Sequence, residues 1–395
     1  MEQTQTVNRP QRRSPVTRNR RLQGQYLSWL LVGSIVLFSL LGILWKDREF
    51  SESENRKLAS FPKFTLSAAL DGSFLKDMGT YVADQFPLRD MWISLNLGMN
   101  RLLGQQESKG VYLCEDDYLI QIPSEPNQTQ LDRNLAAISS FAASHADLNT
   151  VMTIVPNAVT IHADKLPANA PVRDQKADLR YIASKVSGVN FQDVTDVLLQ
   201  HRDETLFYRT DHHWTSLGAY YAFQQVAPTL GIEPPTWSSY TVYTVSNSFE
   251  GTLSSKSGSH GARDSVEVFA PATDIEYYVT YDGNQSGICS MYDRSALDKK
   301  DHYTVFFGGN YGRLDITTTA DTGRVLLVFK DSYANCFMQL LYPYFDHITM
   351  IDPRYYYDNV ENVIRSEAVT DVLYLYNLDT FLGDASLADV LTAGN

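Results

Sequence analysis

Cysteine is scarce in this 395-residue chain: Cys114, Cys289 and Cys336 are all there is. Three scattered thiols supply neither a disulfide framework nor a four-ligand zinc site. They allow one bridge, Cys114–Cys289, although three small buried side chains are the more ordinary expectation. Positive charge is short as well, with 33 Lys and Arg against 46 Asp and Glu and a net charge of −13. That is the wrong sign for gripping a phosphate backbone, so no nucleic-acid partner is expected. Long apolar runs are limited to one, and no internal repeat is evident.

What positive charge there is collects at the N-terminus. Residues 1–26 hold Arg9, Arg12, Arg13, Arg18, Arg20 and Arg21 against Glu2, a charge of +5 that leaves −18 on the rest. Leu27–Trp45 follows, nineteen residues without a charge. At about 1.5 Å per residue this just crosses a hydrocarbon layer roughly 30 Å thick. Tyr26, Trp29 and Trp45 stand where interfacial aromatics belong. A cleaved signal peptide would have an apolar region of about 7–15 residues and a small-residue cleavage site, whereas Trp45-Lys46-Asp47-Arg48-Glu49 follows directly here. The expected arrangement is a basic cytoplasmic tail (1–26), a transmembrane helix in contact with the lipid bilayer (27–45), a polar stalk (46–66) and an extracellular domain (67–395). The positive-inside rule sets that orientation.

Within the domain, Val111-Tyr112-Leu113 and Tyr118-Leu119-Ile120 flank the acidic turn Glu115-Asp116-Asp117 and predict a hairpin. From 131 helical and extended patterns alternate: helix 131–144, strand 150–155, helix 177–187, strand 188–192, helix 195–200. Strands return at 324–329, 347–350 and 372–376. Short apolar runs separated by helices predict a parallel sheet covered on both faces, an α/β/α sandwich of three layers. Residues 236–319, rich in Thr, Tyr, Ser and Gly, read as a β-rich insertion.

Only eight histidines are present, yet Thr210–Thr215 reads TDHHWT and packs an acid and two imidazoles into three positions. A metal site would need further ligands, and no second cluster supplies them. DHH phosphoesterases and DHHC palmitoyltransferases share the letters but need aspartate motifs or a cysteine-rich zinc domain that this chain lacks. An Asp-x-His turn before a helix is instead two-thirds of a nucleophilic triad, with an acid that fixes the tautomer of a base. The missing nucleophile is sought where a parallel strand turns into a helix. Arg324–Phe329 (RVLLVF), then Lys330-Asp331-Ser332, then the apolar run 336–342, meets that description. Ser332 is the candidate, with plain N-capping as the competing role. Lys330 and Ala334 in place of glycines argue against a G-x-S-x-G elbow and an α/β-hydrolase.

TDHHWTSLGAY and VFKDSYAN together resemble the DHHW proteins of Gram-positive bacteria, themselves similar to the SGNH hydrolase-like alginate O-acetyltransferases. ENRKLASFP, YVADQFPLRD, GVYLCEDDYL, VPNAVTIHADKLP, FEGTLSSKSG, FFGGN and IDPRYY extend the resemblance, in order, from about residue 54 to the end. It implies an SGNH hydrolase-like fold with Ser332 as nucleophile, His213 as base and Asp211 as the orienting acid; His212 is the alternative base. It also implies an oxyanion hole from the Ser332 amide with Gly309 and Asn310, though Gly308-Gly309 also suits a hairpin turn. Arg354 and His212 are candidate substrate contacts; a buried ion pair is the other reading of Arg354. Motif order departs from most SGNH enzymes, since Asp-x-His precedes the serine here. Spatial arrangement rather than order carries such chemistry.

These features imply a membrane-anchored, extracellular O-acetyltransferase or acetylesterase. It would act on a cell-surface or exported polysaccharide, or on a wall glycan, and need no cofactor and no metal. A transferase would also need a multi-pass membrane partner, because acetyl-CoA is cytoplasmic. The contrasting expectation is a non-catalytic polysaccharide-binding or assembly protein that keeps the fold alone.

Overall fold

The computed structural model describes residues 15–281 and 284–393. Most of the arginine-rich tail, residues 1–14, therefore lies outside the described residues. The chain divides into two compact units, one built from residues up to 96 without 53–55, the other from 97 onward together with 53–55.

The first unit opens with helix α1 (Pro15–Leu44). Its Leu22–Leu44 stretch has a mean hydropathy of 2.4 and no buried share, and among the described residues it alone is long and apolar enough to cross a membrane. A helix apolar on all sides has no polar face to give to water. Helices α2 (Ser73–Asp84) and α3 (Arg89–Leu102) follow. The segment expected as a plain stalk carries a short strand pair, Phe50–Ser51 with Arg56–Lys57. Arg56 reaches the buried Asp84 carboxylate in a bidentate pair at 2.9 and 2.5 Å, and the Ala59 amide adds a third donor. Hydrogen bonding from Arg56 outweighs burial and holds Asp84 down to about 2. Arg89 adds a second, longer ion pair to the same carboxylate at 3.9 Å and lies equally far from Asp90.

In the second unit β1 (Val111–Leu113) and β2 (Leu119–Gln121) form the expected hairpin. Its turn places Asp116 and Asp117 at positive φ, which aspartate tolerates better than most side chains. The central sheet uses β3 (Asn149–Val155), β4 (Asn190–Gln192), β7 (Tyr277–Tyr281), β8 (Asn284–Cys289), β9 (Arg313–Thr318), β10 (Val325–Lys330), β11 (His347–Ile351) and β12 (Asp371–Asn377). Two more strands, β5 (Tyr240–Phe249) and β6 (Asp264–Pro271), pair separately. The central order among described residues is β8-β7-β9-β11-β10-β12-β3-β4.

Side chains alternate across this sheet, as strand geometry requires. Val151, Val155, Leu326, Val328, Leu373 and Leu375 join one core with helices α6 (Ser216–Val226) and α7 (Tyr333–Leu341). Met152, Ile154, Leu327, Phe329, Val372 and Tyr374 join another with α4 (Gln128–Ser144), α5 (Gln175–Lys185) and α8 (Val360–Glu367). Both faces are covered, which is why the strands read as unbroken apolar runs.

The expectation of a parallel sheet with a separate β insertion needs correction. Strands β3, β4, β10, β11 and β12 are parallel, but β9 adds antiparallel to β11, followed by antiparallel β7 and β8. The later part of residues 236–319 thus widens the main sheet, and only β5 and β6 stand apart. Apolar alternation identifies a strand but does not name its neighbour. Cys114 and Cys336 are free thiols; the Cys289 side chain lies outside the described residues.

Candidate active site

Two turns, far apart in sequence, meet here. The first spans the TDHHWT residues. A Phe207–Trp214 bridge, with Tyr208 N–H donating to His213 O and Thr215 N–H to Leu206 O, pinches the chain into a tight loop. Thr215 then caps α6, its Oγ1 accepting from Gly218 N at 3.2 Å. The second turn leaves β10 as Lys330-Asp331-Ser332 and enters α7. Trp214 pins the two together: its indole is fully buried, Nε1 donates to Tyr333 O at 2.9 Å, and its ring packs on Tyr333 and Phe337.

Ser332 occupies the N-cap position of α7, but its side chain makes no capping bond. Its Oγ lies 2.7 Å from His213 Nε2 instead, and His213 Nδ1 lies 2.5 Å from Asp211 Oδ1. The hydroxyl is thus turned toward the imidazole and not toward the helix end.

Asp211 is fully buried and collects four donors: His213 N–H and Nδ1 on Oδ1, Thr252 N–H and Oγ1 on Oδ2. Burial opposes ionisation, but His212, His213 and these donors outweigh it and hold the carboxyl far below the usual range. Gly251 makes the approach of Thr252 possible, because a Cβ there would lie 2.3 Å from Asp211 Cβ. Asp264 sets this contact from behind, accepting from Thr210 N–H and Oγ1, while Gly251 N–H donates to Thr210 Oγ1.

The His213 ring lies 3.7 Å from Tyr303, nearly parallel, and 3.9 Å from His212. Two rings that close cannot share one face, so the imidazole is clamped between them. Tyr303 Oη also donates to Ser332 O at 2.8 Å. His212 turns its Nδ1 to Thr252 Oγ1 at 2.8 Å. Burial and the adjacent His213 push it down to about 4, leaving it neutral near pH 7. It lines a cleft of about 150 Å³ together with Gln121, Asn157, Asn377 and Asp379.

Asp211, His212 and His213 offer ligand atoms within 4.8 Å of one another. Both His213 nitrogens and both Asp211 oxygens are already engaged, so a cation would have to dismantle the hydrogen-bonded line to Ser332. The donor set suits proton transfer better than metal binding.

A model of the DHHW protein family matches residues 54–117 and 126–351. The chain belongs to the DHHW protein family. Among curated relatives it is 28% identical over 192 residues to a probable alginate O-acetylase, AlgJ, of Pseudomonas syringae pv. tomato, covering 45% of this chain and 49% of that protein. AlgJ of Pseudomonas aeruginosa is 23% identical over 187 residues, with 45% and 47% covered. The chain thus spans about half the length of the curated relatives it matches. Its fold is that of a DHHW family protein from Eubacterium siraeum (TM-score 0.63, 23% identity, 73% of this chain and 96% of that one). It is also that of PatB1 from Bacillus cereus (TM-score 0.59, 19% identity, 68% and 96%).

Of the residues expected in the site, Asp211, His213 and Ser332 converge, and His212 lies beside them. Arg354 is bound through two bonds to the fully buried Asp352, at 2.8 and 2.6 Å, so the ion-pair reading describes its position. Gly309, at positive φ, and Asn310 lie in a loop tied to Lys330. Sequence reasoning passed over Thr252, Asp264, Tyr303 and Asn377. The DHHW motif stretch FEGT contains the first, and a glycine beside a threonine was its one available signal.

Proposed function

We propose that this DHHW protein is a membrane-anchored O-acyltransferase of serine type acting on an extracytoplasmic glycan, through Ser332, His213 and Asp211. The observation that carries this reading is the continuous hydrogen-bonded line from Asp211 through both His213 nitrogens to a serine hydroxyl that declines its capping role. In the first step Ser332 Oγ bonds to the acyl carbonyl carbon, its proton passes to His213 Nε2, and the carbonyl π pair moves onto oxygen. The intermediate collapses when the donor oxygen leaves with the proton from His213. A sugar hydroxyl then attacks the acyl-serine by the same path, with His213 taking and returning the proton. Asp211 keeps Nδ1–H oriented and offsets the imidazolium charge throughout.

Likeness to relatives named alginate O-acetylases supports acetyl as the group carried and a polysaccharide as acceptor. The cleft beside His212, which sets the carboxamides of Gln121, Asn157 and Asn377 and the Asp379 carboxylate among apolar side chains, suits sugar hydroxyls and the apolar faces of sugar rings. A body of −18 does not attract a polyanion over long range, which favours a neutral or cationic glycan. The apolar helix α1 supports anchoring, and the arginine-rich tail supports a cytoplasmic N-terminus.

The test is labelling of the detergent-solubilised chain with a fluorophosphonate, alongside hydrolysis and glycan transfer of an acetyl ester. Wild type is expected to label and turn over, with both lost in Ser332→Ala. Label retained by that variant would sink the assignment.

A further inference from the structure

Lys330 stands at the end of β10 with no solvent exposure, two residues before Ser332. Its Nζ donates to Asn310 Oδ1 at 3.0 Å and to Asn335 Oδ1 at 2.9 Å, and Asn335 Nδ2 adds a second donor to Asn310 Oδ1 at 3.3 Å. An ammonium has donors and no lone pair, so the atoms facing it must be carbonyl oxygens. This settles which way the Asn310 carboxamide is turned: Oδ1 inward to Lys330, Nδ2 outward. Among the described residues no group accepts from that Nδ2.

The chain leading to Asn310 is held with equal care. Phe307, Gly308 and Gly309 are three consecutive residues at positive φ, and Phe307 is a buried non-glycine residue there. Phe307 N–H donates to Met291 O and Gly308 N–H to Thr304 O, which hold the strained loop in place. Four residues before Phe307, Tyr303 stacks on His213 and bonds Ser332 O. The segment from Tyr303 to Asn310 is thereby tied at both ends to the turn that carries the nucleophile, at Ser332 and at Lys330.

We propose that Lys330 is a positioning residue for the oxyanion hole. It locks the Asn310 carboxamide with an N–H free for the negative oxygen formed when Ser332 attacks, and keeps a positive charge beneath it. This rests on the reading of Ser332 as nucleophile. A buried lysine thereby replaces conformational freedom of a solvent-exposed asparagine with one fixed rotamer, which is what preorganised stabilisation of developing charge requires.

The charged groups facing Lys330 are Asp331, Asp352 and Arg354; burial, helped by the like charge of Arg354, lowers the ammonium to about 8 against the opposing pull of Asp352 and Asp331. Removing one oxyanion donor typically costs about 10²–10³ in kcat. Using the full chain in detergent with an acetyl ester, Asn310→Ala is expected to lower kcat about 100-fold with KM within about twofold. Lys330→Met should do the same within about a factor of ten. Because both act on one group, the double variant should match Asn310→Ala rather than multiply the losses. A Lys330→Met enzyme within about twofold of wild-type kcat, or losses that multiply, would overturn the proposal.

If Lys330→Met does not fold, the pH profile decides. Wild-type kcat should fall as pH rises through about 8 while Asn310→Ala lacks that limb. A wild-type kcat flat to about pH 10 overturns it. A wild type that neither labels nor turns over removes the nucleophile reading and takes this proposal with it. Turnover with unchanged Lys330→Met kinetics removes this proposal alone.

Discussion

The two turns that build the site each bury an aspartate, and they treat it in opposite ways. Asp211, in the TDHHWT turn, receives four donors and two neighbouring imidazoles, and stays ionised. Asp331, in the KDSYAN turn, is as deeply buried and accepts from Tyr333 N–H and from the Asn377 amide and side chain. Burial wins there, and its carboxyl is pushed up to about 6. The same residue type, two positions before one key side chain and one position before the other, is held far below the carboxylate range in one turn and pushed up in the other. What separates them is the number of donors and neighbours: four hydrogen bonds and two imidazoles converge on Asp211, whereas Asp331 has three hydrogen bonds and the nearby Arg354 is spent on Asp352.

The sharpest way to break this contrast is to neutralise each acid in place. Asp211→Asn should lower kcat by about 10⁴-fold, because the wrong His213 tautomer is then favoured. Asp331→Asn should cost activity at most about tenfold, through the position of Ser332 rather than its activation. Acetyl-ester turnover by both variants, with circular dichroism to verify folding, checks this. Equal losses would show that both acids serve the imidazole.

Gly251→Ala probes the first turn without touching a charge. Its Cβ would meet Asp211 Cβ at 2.3 Å and backbone must move, since neither partner is the end of a flexible chain. A loss of about 1–3 kcal/mol in urea unfolding is expected, as for overpacked cores. Activity should fall with it, because Thr252 can no longer hold both its bonds to Asp211. Among the glycines whose surroundings are described, none approaches Asp331 in this way.

Much of this was legible beforehand, and the reason is locality. Strand β10, its turn and α7 are contiguous, and the period of their apolar residues shifts within about a dozen positions. TDHHWT likewise carries acid, base and helix cap in six letters. Thr252 reaches Asp211 from 41 residues away and Tyr303 reaches Ser332 from 29. No periodicity encodes such meetings, which follow from how β5, β6 and the widened sheet edge are stacked. The antiparallel addition of β9 was hidden for the same reason: a strand with a clean alternation fits any neighbour.

The opposed environments also predict opposed pH dependences of stability, a smaller effect than those on turnover. For Asp331 the folded value near 6 lies above the ordinary 3.8. Below about 3.8 both states hold the proton; between 3.8 and 6 only the folded state does, so stability declines as pH rises through that window and the loss is complete above it. Asp211 has the reverse sign, its contribution being present above 3.8 and lost only as the medium becomes strongly acid. Urea midpoints of wild type and Asp331→Asn at intervals from pH 4 to 7 isolate the first term. The variant should lack up to about 3 kcal/mol of decline that wild type shows. If both proteins trace parallel curves, Asp331 is ionised throughout, and the distinction between the two turns must rest on geometry alone.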